Sequence, residues 1–432
     1  MERTTCCVVG GGPAGMVLGL LLARAGIRVT VLEKHADFLR DFRGDTVHPS
    51  TLDLLDDLGL GERVAALPQC RITEVALPTP GGGPPQVVGD LARLARLGVR
   101  HPYIAMMPQW DLLDLLADAA RAEPSFTLRT STAATGALRE NGRVTGVRYR
   151  TADGASGILR AELTVACDGR HSLLRSGSGL AVREFGVPFD AWWFRLPRRP
   201  DETGAMLTPR LGTGRFAVVI PREGYLQIAY LGRKGSDAAL RARGIEAFRA
   251  DVAELIPDCA DRVGAIGSMD DVKHLDVRLN RLRRWHVDGL LFIGDAAHAM
   301  SPIGGVGINL AVQDAVAAAR LLAPALRRGS VPGAELARVR RRRLLPTVLV
   351  QGVQRIMHRL VAAPALDGTL TAPPAAVLGL MRRVPALRIV PAYLVGVGPL
   401  PERAPAFARR PVRTPSPRSA PAATGADDGD GV

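Results

Sequence analysis

Four stretches of the chain carry residue types and spacings that could do chemistry. Gly10-Gly11-Gly12-Pro13-Ala14-Gly15 sets glycines at 10, 12 and 15, and Glu33 follows eighteen residues after the last of them. Gly10 permits a tight turn, Gly12 lets backbone N–H groups approach a pyrophosphate, and Gly15 lets a helix pack close to a strand. A pyrophosphate there would meet unpaired N–H groups and the positive end of a helix dipole. Glu33 is placed to bind ribose hydroxyls. Farther along come Asp168-Gly169-Arg170-His171-Ser172-Leu173-Leu174-Arg175 and Gly294-Asp295-Ala296-Ala297-His298, the latter followed by a glycine-rich loop at 302–307. A carboxylate at a strand end can hold a ribose or ribityl hydroxyl. No metal site is expected, because the five cysteines form no CxxC pair and no ligand spacing with histidine.

The elements around these stretches are those such chemistry needs. Residues 4–9 read as a strand, 16–25 as a helix and 27–33 as a second strand, which is a dinucleotide-binding βαβ unit. A helix starts at His48-Pro49-Ser50-Thr51, with Ser50 or Thr51 as its cap. Residues 71–77 read as a strand and 111–120 as an amphipathic helix. The stretch 127–150 reads as two strands joined at Asn141-Gly142, with 151–157 continuing the meander. Residues 162–166 read as a further strand. From 185 to 273 alternation predicts an antiparallel sheet, seen at 216–220 and 226–230, covered by a helix at 238–255. A buried strand at 289–293 and a long helix at 308–326 follow. Residues 334–400 read as helical, apolar and broken by prolines, and 404–432 as disordered. If the three strands preceding the glycine turn, Asp168 and Asp295 share one parallel sheet, their ends share a ligand-binding edge. Two glycine loops facing each other there suit an extended dinucleotide, FAD or NAD.

Composition excludes several classes. The 432 residues suffice for two or three domains, and 47% apolar content supports a sizeable core. No run of about 18 uninterrupted apolar residues predicts a transmembrane helix. Met1-Glu2-Arg3 leads straight into a strand, which argues against a signal peptide and for a cytoplasmic protein with reduced thiols. The net charge of +14 comes with only three lysines among 56 basic residues. Most arginines stand singly, so no nucleic-acid partner is expected. The cluster Arg338 with Arg340-Arg341-Arg342-Arg343 reads first as a solvated helix face, and second as a peripheral membrane contact.

Over residues 4–330 the chain resembles the class A flavin-dependent monooxygenases, the aromatic hydroxylases typified by para-hydroxybenzoate hydroxylase. Gly10-x-Gly12-x-x-Gly15 with Glu33 matches their FAD fingerprint. Asp168-Gly169-x-x-Ser172-x-x-Arg175 matches their DG motif, and Gly294-Asp295-x-x-His298 with Pro302, Gly305, Gly307 and Asn309 their GD motif. The resemblance implies an α/β Rossmann-type FAD-binding domain at 1–70, 101–184 and 274–330. It further implies an inserted antiparallel substrate domain at 71–100 and 185–273, and a helical region at 331–403. Gly10, Gly12, Ala14 and Gly15 would hold the pyrophosphate. Glu33, with Lys34 beside it, would hold the adenosine ribose, and Asp295 the ribityl chain. Gly305, Val306, Gly307, Ile308 and Asn309 would line the flavin ring. Arg43 and Gln109 would contact FAD, and Asp168 would lie near the pyrophosphate and the path of the nicotinamide.

The activity implied uses NADPH or NADH and O2 to hydroxylate an aromatic, polyketide-like or quinone-like small molecule through a flavin C4a-hydroperoxide. A flavin reductase or halogenase is the alternative, although the halogenase WxWxIP motif is absent. A flavin-binding, membrane-docked protein without turnover is another. His298 reads as a structural hydrogen-bond partner. Trp110 and Trp285 read as packing residues. Trp192, Trp193 and Pro302 are the candidates for touching substrate.

Overall fold

The computed structural model describes residues 2–39, 45–77, 85–202, 206–370 and 375–410. Its centre is a sheet in which Leu290–Phe292, Ser156–Ala166, Glu2–Val9, Val29–Leu32 and Phe126–Arg129 run parallel side by side in that order. The apolar runs make these strands. Cys6, Cys7, Val8, Val29 and Val31 are fully buried because both faces of a parallel sheet are covered. The first helix, Pro13–Arg24, has Pro at its first turn and buries ten residues from Ala14 to Ala23. It packs on the helix Gly307–Arg327 and on Gln109–Arg121. Ile303–Arg327 is long and apolar enough to cross a membrane, yet 83% of its apolar window is buried inside the protein.

The stretch 151–157 is the end of Arg143–Thr151, a turn, and the start of the strand Ser156–Ala166, which also takes in 162–166. The first half of Ser156–Ala166 pairs antiparallel with Arg143–Thr151 and its second half runs parallel to Glu2–Val9. Asn141 (φ 50°) and Gly142 (φ 80°) form the hairpin turn with consecutive left-handed residues. The helix expected over 238–255 is two, Asp237–Ala242 and Gly244–Leu255, parted at Gly244 (φ 81°).

A second, five-stranded sheet is antiparallel throughout: Thr208–Gly212, Arg215–Pro221, Tyr225–Arg233, Phe189–Pro197 and Lys273–Leu275. One face carries Trp192, Phe194, Ile228 and Tyr230 beneath the helix Gly244–Leu255. The other carries Phe189, Ala191, Trp193 and Val218.

Prolines break the C-terminal helices less than expected. Pro346 lies inside the continuous helix Gly333–Met357, and the first irregularity is a π turn at His358–Ala362. Residues 404–410 depart from the disordered tail read from composition. Ala404 and Ala408 are buried, Arg24 Nη1 donates to Ala408 O at 2.9 Å, and Arg410 N donates to Asp57 O at 3.1 Å.

Candidate functional site

The parallel strands end at one edge, and the predicted residues stand along it in strand order: Asp295, Asp168, Gly10, Glu33. Three strand spacings span about 14 Å, the reach of an extended ligand lying across the strand ends.

The three glycines of the first turn do different work. A Cβ on Gly10 would lie 2.5 Å from Cys167 O, and one on Gly15 would lie 1.9 Å from Gly10 O. Both are demanded by the protein's own backbone. A Cβ on Gly12 would meet nothing within 4 Å, so Gly12 faces open space. Gly12 is also the residue that starts the first helix, and no side chain caps it. Open space in front of an uncapped helix N-terminus is what an anionic ligand requires. Ala14 is buried, its Cβ facing Gly294, where an added Cβ would lie 3.3 Å away.

Glu33 is buried at the next strand end. Its Oε2 accepts from Gly11 N at 2.8 Å and its Oε1 from His35 N at 3.0 Å, which fixes the carboxylate. Lys34 is exposed on the following bend. Arg43 lies outside the described residues. Gln109 is half-buried at the start of its helix, and its backbone hydrogen-bonds the Asp45 carboxylate.

Asp168 follows the Ser156–Ala166 strand. Burial pushes its carboxyl above the ordinary range, and its Oδ1 has no partner among the described residues. A buried oxygen left over at a ligand edge is available to a ligand hydroxyl. Ser172 caps the short helix behind it, accepting from Arg175 N at 3.0 Å. Arg175 Nη1 reaches Asp295 O at 3.5 Å and Ala296 O at 3.4 Å, and Arg170 lies 3.6 Å from Asp295 Oδ2. The two motifs are therefore one cluster in space. Burial pushes the Cys167 thiol far up, which leaves it protonated and inert.

The second glycine turn is held from elsewhere in the chain. Gly304 (φ 82°) and Gly305 (φ 63°) are both left-handed. Thr46 Oγ1 donates to Gly305 O at 3.2 Å, and His48 Nε2 contacts Gly304 O at 3.2 Å. Ser50 and Thr51 do not cap their helix, as the sequence led one to expect. Pro49 occupies its first turn, and both hydroxyls donate to Asn309 Oδ1 at 2.8 Å. Val306, Ile308 and Asn309 are buried, while Pro302, Gly305 and Gly307 are half-buried. His298 is the structural partner expected. Its Nε2 lies 2.6 Å from Asp314 Oδ2, which also accepts from Gly294 N at 3.1 Å, while Oδ1 accepts from Arg343 Nε at 3.0 Å. Burial alone would raise the Asp314 carboxyl, but His298 and Arg343 together hold it below the ordinary range.

The edge fits FAD: an uncapped helix end with free space for a pyrophosphate, carboxylates at either end, and a second glycine turn beside them. A family profile described as FAD binding domain matches residues 3–350. The chain belongs to this family, the class A flavin-dependent monooxygenases. It is 36% identical to the 6-methylpretetramide 4-monooxygenase of Streptomyces rimosus over 394 residues, 90% of this chain and 91% of that one. It is 27% identical to the protoasukamycin 4-monooxygenase of Streptomyces nodosus subsp. asukaensis, over 78% of this chain and 84% of that one. In fold it matches the OxyS anhydrotetracycline hydroxylase of Streptomyces rimosus, with a TM-score of 0.71, 24% identity, and coverage of 91% of this chain and 76% of that one. The protein is thus an FAD-dependent oxidoreductase that uses NAD(P)H and O2.

The monooxygenase's antiparallel sheet separates the two candidate tryptophans. Trp192 is fully buried under the covering helix, and its Nε1 donates to Asp237 Oδ1 at 2.7 Å. It is a packing residue, and its candidacy for substrate contact falls. Adjacent strand residues point to opposite faces, so Trp193 lies on the other side, packed near Ile303 and Val218. Its indole N–H is buried with no partner among the described residues. No motif points to Asp45, Arg222 and Gln227. Arg222 Nη2 donates to Asp45 Oδ2 at 2.6 Å and to Gln227 Oε1 at 2.8 Å, and all three are buried. The Asp45–Arg222 pair ties Asp45 to the antiparallel sheet.

Proposed function

We propose that this monooxygenase hydroxylates a fused-ring aromatic of polyketide type, bound between the Trp193 face of the antiparallel sheet and the Pro302–Asn309 turn. The carrying observation is the pair of adjacent tryptophans: Trp192 has its hydrogen bond, and Trp193 has a buried donor with none. A buried N–H without a partner costs about 1–3 kcal/mol, and a phenol or carbonyl oxygen of the substrate relieves that cost. The substrates named for the relatives above, 6-methylpretetramide and anhydrotetracycline, belong to this chemical class.

In this reading Gly12, Ala14 and Gly15 present the helix end to the FAD pyrophosphate, with Gly10 shaping the turn. Glu33 and Lys34 take the adenosine ribose, Asp168 the neighbouring linkage, and Asp295 the ribityl chain. Gln109, and Arg43 as the family resemblance implies, contact the flavin. Gly305 to Asn309 present backbone N–H groups to the ring, which favours negative charge on it. When bound, FAD supplies reduction by NAD(P)H and activation of O2 for transfer of one oxygen atom. The chain's part is to orient the substrate through Trp193 Nε1 and to exclude water with the apolar side chains Trp193, Val218 and Ile303.

The test is anaerobic reduction of the flavin-loaded protein by NADPH and NADH, with and without anhydrotetracycline, followed by mixing with O2. Faster reduction in the presence of the tetracyclic phenol, and a product heavier by one oxygen, are expected. Trp193→Phe should raise KM about tenfold, one lost hydrogen bond, while Trp192→Phe leaves it unchanged. Equal effects of the two substitutions, or hydrogen peroxide as the only product with every fused-ring phenol offered, would overturn the reading.

A further inference from the structure

The helix Gly333–Met357 leaves an apolar face uncovered among the described residues. The side it shows to the protein is mixed: Leu336, Val339 and Val350 are buried with Arg343, Thr347, Gln351 and Gln354, and His358 is buried just beyond. Thr347 donates to Arg343 O within the helix, and the other polar residues bond to Asp314, Asn280 and Ser301. The side it shows to water is apolar. Leu345, Leu349, Val353, Ile356 and Leu360 are 42–65% exposed. Their spacing of four, four, three and four puts them on one helical face, a stripe about 22 Å long. The concentration is local: of fifteen large apolar side chains exposed among the described residues, eleven lie between 345 and 400.

Charge says what covers the stripe. Between Glu335 and Glu402 the sequence holds ten arginines and one acid, Asp367, which lies 3.0 Å from Arg233. Arg341 stands at one end of the stripe and Arg359 at the other; both are exposed and neither has an ion pair among the described residues. On its flank Arg183, Arg281 and Arg355 crowd the Phe185 ring, at 5.2, 5.0 and 4.9 Å from its centroid. A second copy packed antiparallel on the stripe would set Arg341 against Arg359 with no acid between them. An anionic lipid surface answers both features: it takes up the apolar side chains, and the arginine stems lie along it with their heads among phosphates.

We propose that this helix is a peripheral docking surface for an anionic bilayer, with Leu345 to Leu360 dipping into the acyl boundary and the arginines in the headgroup layer. The protein would then work where apolar substrates partition.

The flavin-loaded, full-length protein is sedimented with vesicles of equal phosphatidylglycerol and phosphatidylcholine, and with phosphatidylcholine alone. Binding to the anionic vesicles, reversed by high salt, is expected. The double variant Arg341→Gln/Arg359→Gln should weaken partitioning about thirtyfold, and Ile356→Ser/Leu360→Ser by a similar factor, each with its flavin absorbance intact. No sedimentation with anionic vesicles would overturn the proposal. So would a concentration-dependent dimer that Ile356→Ser dissociates, since a second copy would then be the occupant.

Discussion

The two glycine turns that face the ligand edge solve one problem in different ways. Both lead into a helix N-terminus that no side chain caps. The turn at Gly10–Gly15 is enforced by backbone: the atoms that forbid a Cβ on Gly10 or Gly15 are carbonyl oxygens two or three ångströms away. The turn at Gly304–Asn309 is enforced by side chains from a distant segment, Thr46, His48, Ser50 and Thr51. Backbone cannot give way without moving a strand or a helix, whereas a side chain can be exchanged. The first turn should therefore be intolerant and chemically generic. The second should be adjustable, which suits a turn proposed to line the reacting ring.

That contrast breaks most visibly at Gly15. Gly15→Ala sets a methyl group 1.9 Å from Gly10 O, so the helix must shift. A loss of about 3 kcal/mol is expected from overpacking of this kind, read as a fall in denaturant midpoint together with loss of bound flavin.

The second turn should respond to acid instead. Burial depresses His48 to a pKa of about 4, below its unfolded value of about 6.5. The neutral ring is thus the folded form, and its contribution is present above pH 6.5 and lost as pH falls towards 4. Between pH 7 and pH 5 the loss is about 2 kcal/mol. Unfolding curves of His48→Gln should lack that part of the acid slope, while those of Gly15→Ala keep it. His358, also held near 4 by burial, adds a slope of its own that both variants retain.

The smallest effect belongs to Asn309→Ala, which leaves Ser50 and Thr51 without their shared acceptor. About 1.5 kcal/mol is expected, again with folding intact. A cost as large as that of Gly15→Ala would mean that the second turn is as rigid as the first.

The same contrast explains what could be read from the chain. The first turn was legible because strand, glycines, helix and acid follow within thirty residues. The parallel edge followed once three strand-end motifs were set side by side, and the Asn141-Gly142 hairpin rests on two neighbouring residues. What escaped depends on distant partners. Ser50 and Thr51 look like helix caps until Asn309, more than 250 residues on, takes their hydroxyls. Asp45 and Arg222 are 177 positions apart and carry no motif. The two tryptophans could have been separated from sequence, since the strand alternates faces and Phe194 and Leu196 mark the Trp192 side as core. The outward apolar stripe was hidden because composition does not say which side of a helix faces water.

FAD lying across the strand ends would set its pyrophosphate against Gly12. Titration of the Gly12→Ala apoprotein with FAD, followed by flavin fluorescence quenching, tests that placement directly. Gly12 has φ −74° and ψ −176°, which alanine adopts freely, and its Cβ would meet no protein atom within 4 Å. An apoprotein as stable as the unsubstituted one is expected, with FAD affinity reduced about tenfold or more by the methyl group in the phosphate's place. Unchanged FAD affinity in Gly12→Ala would contradict that placement.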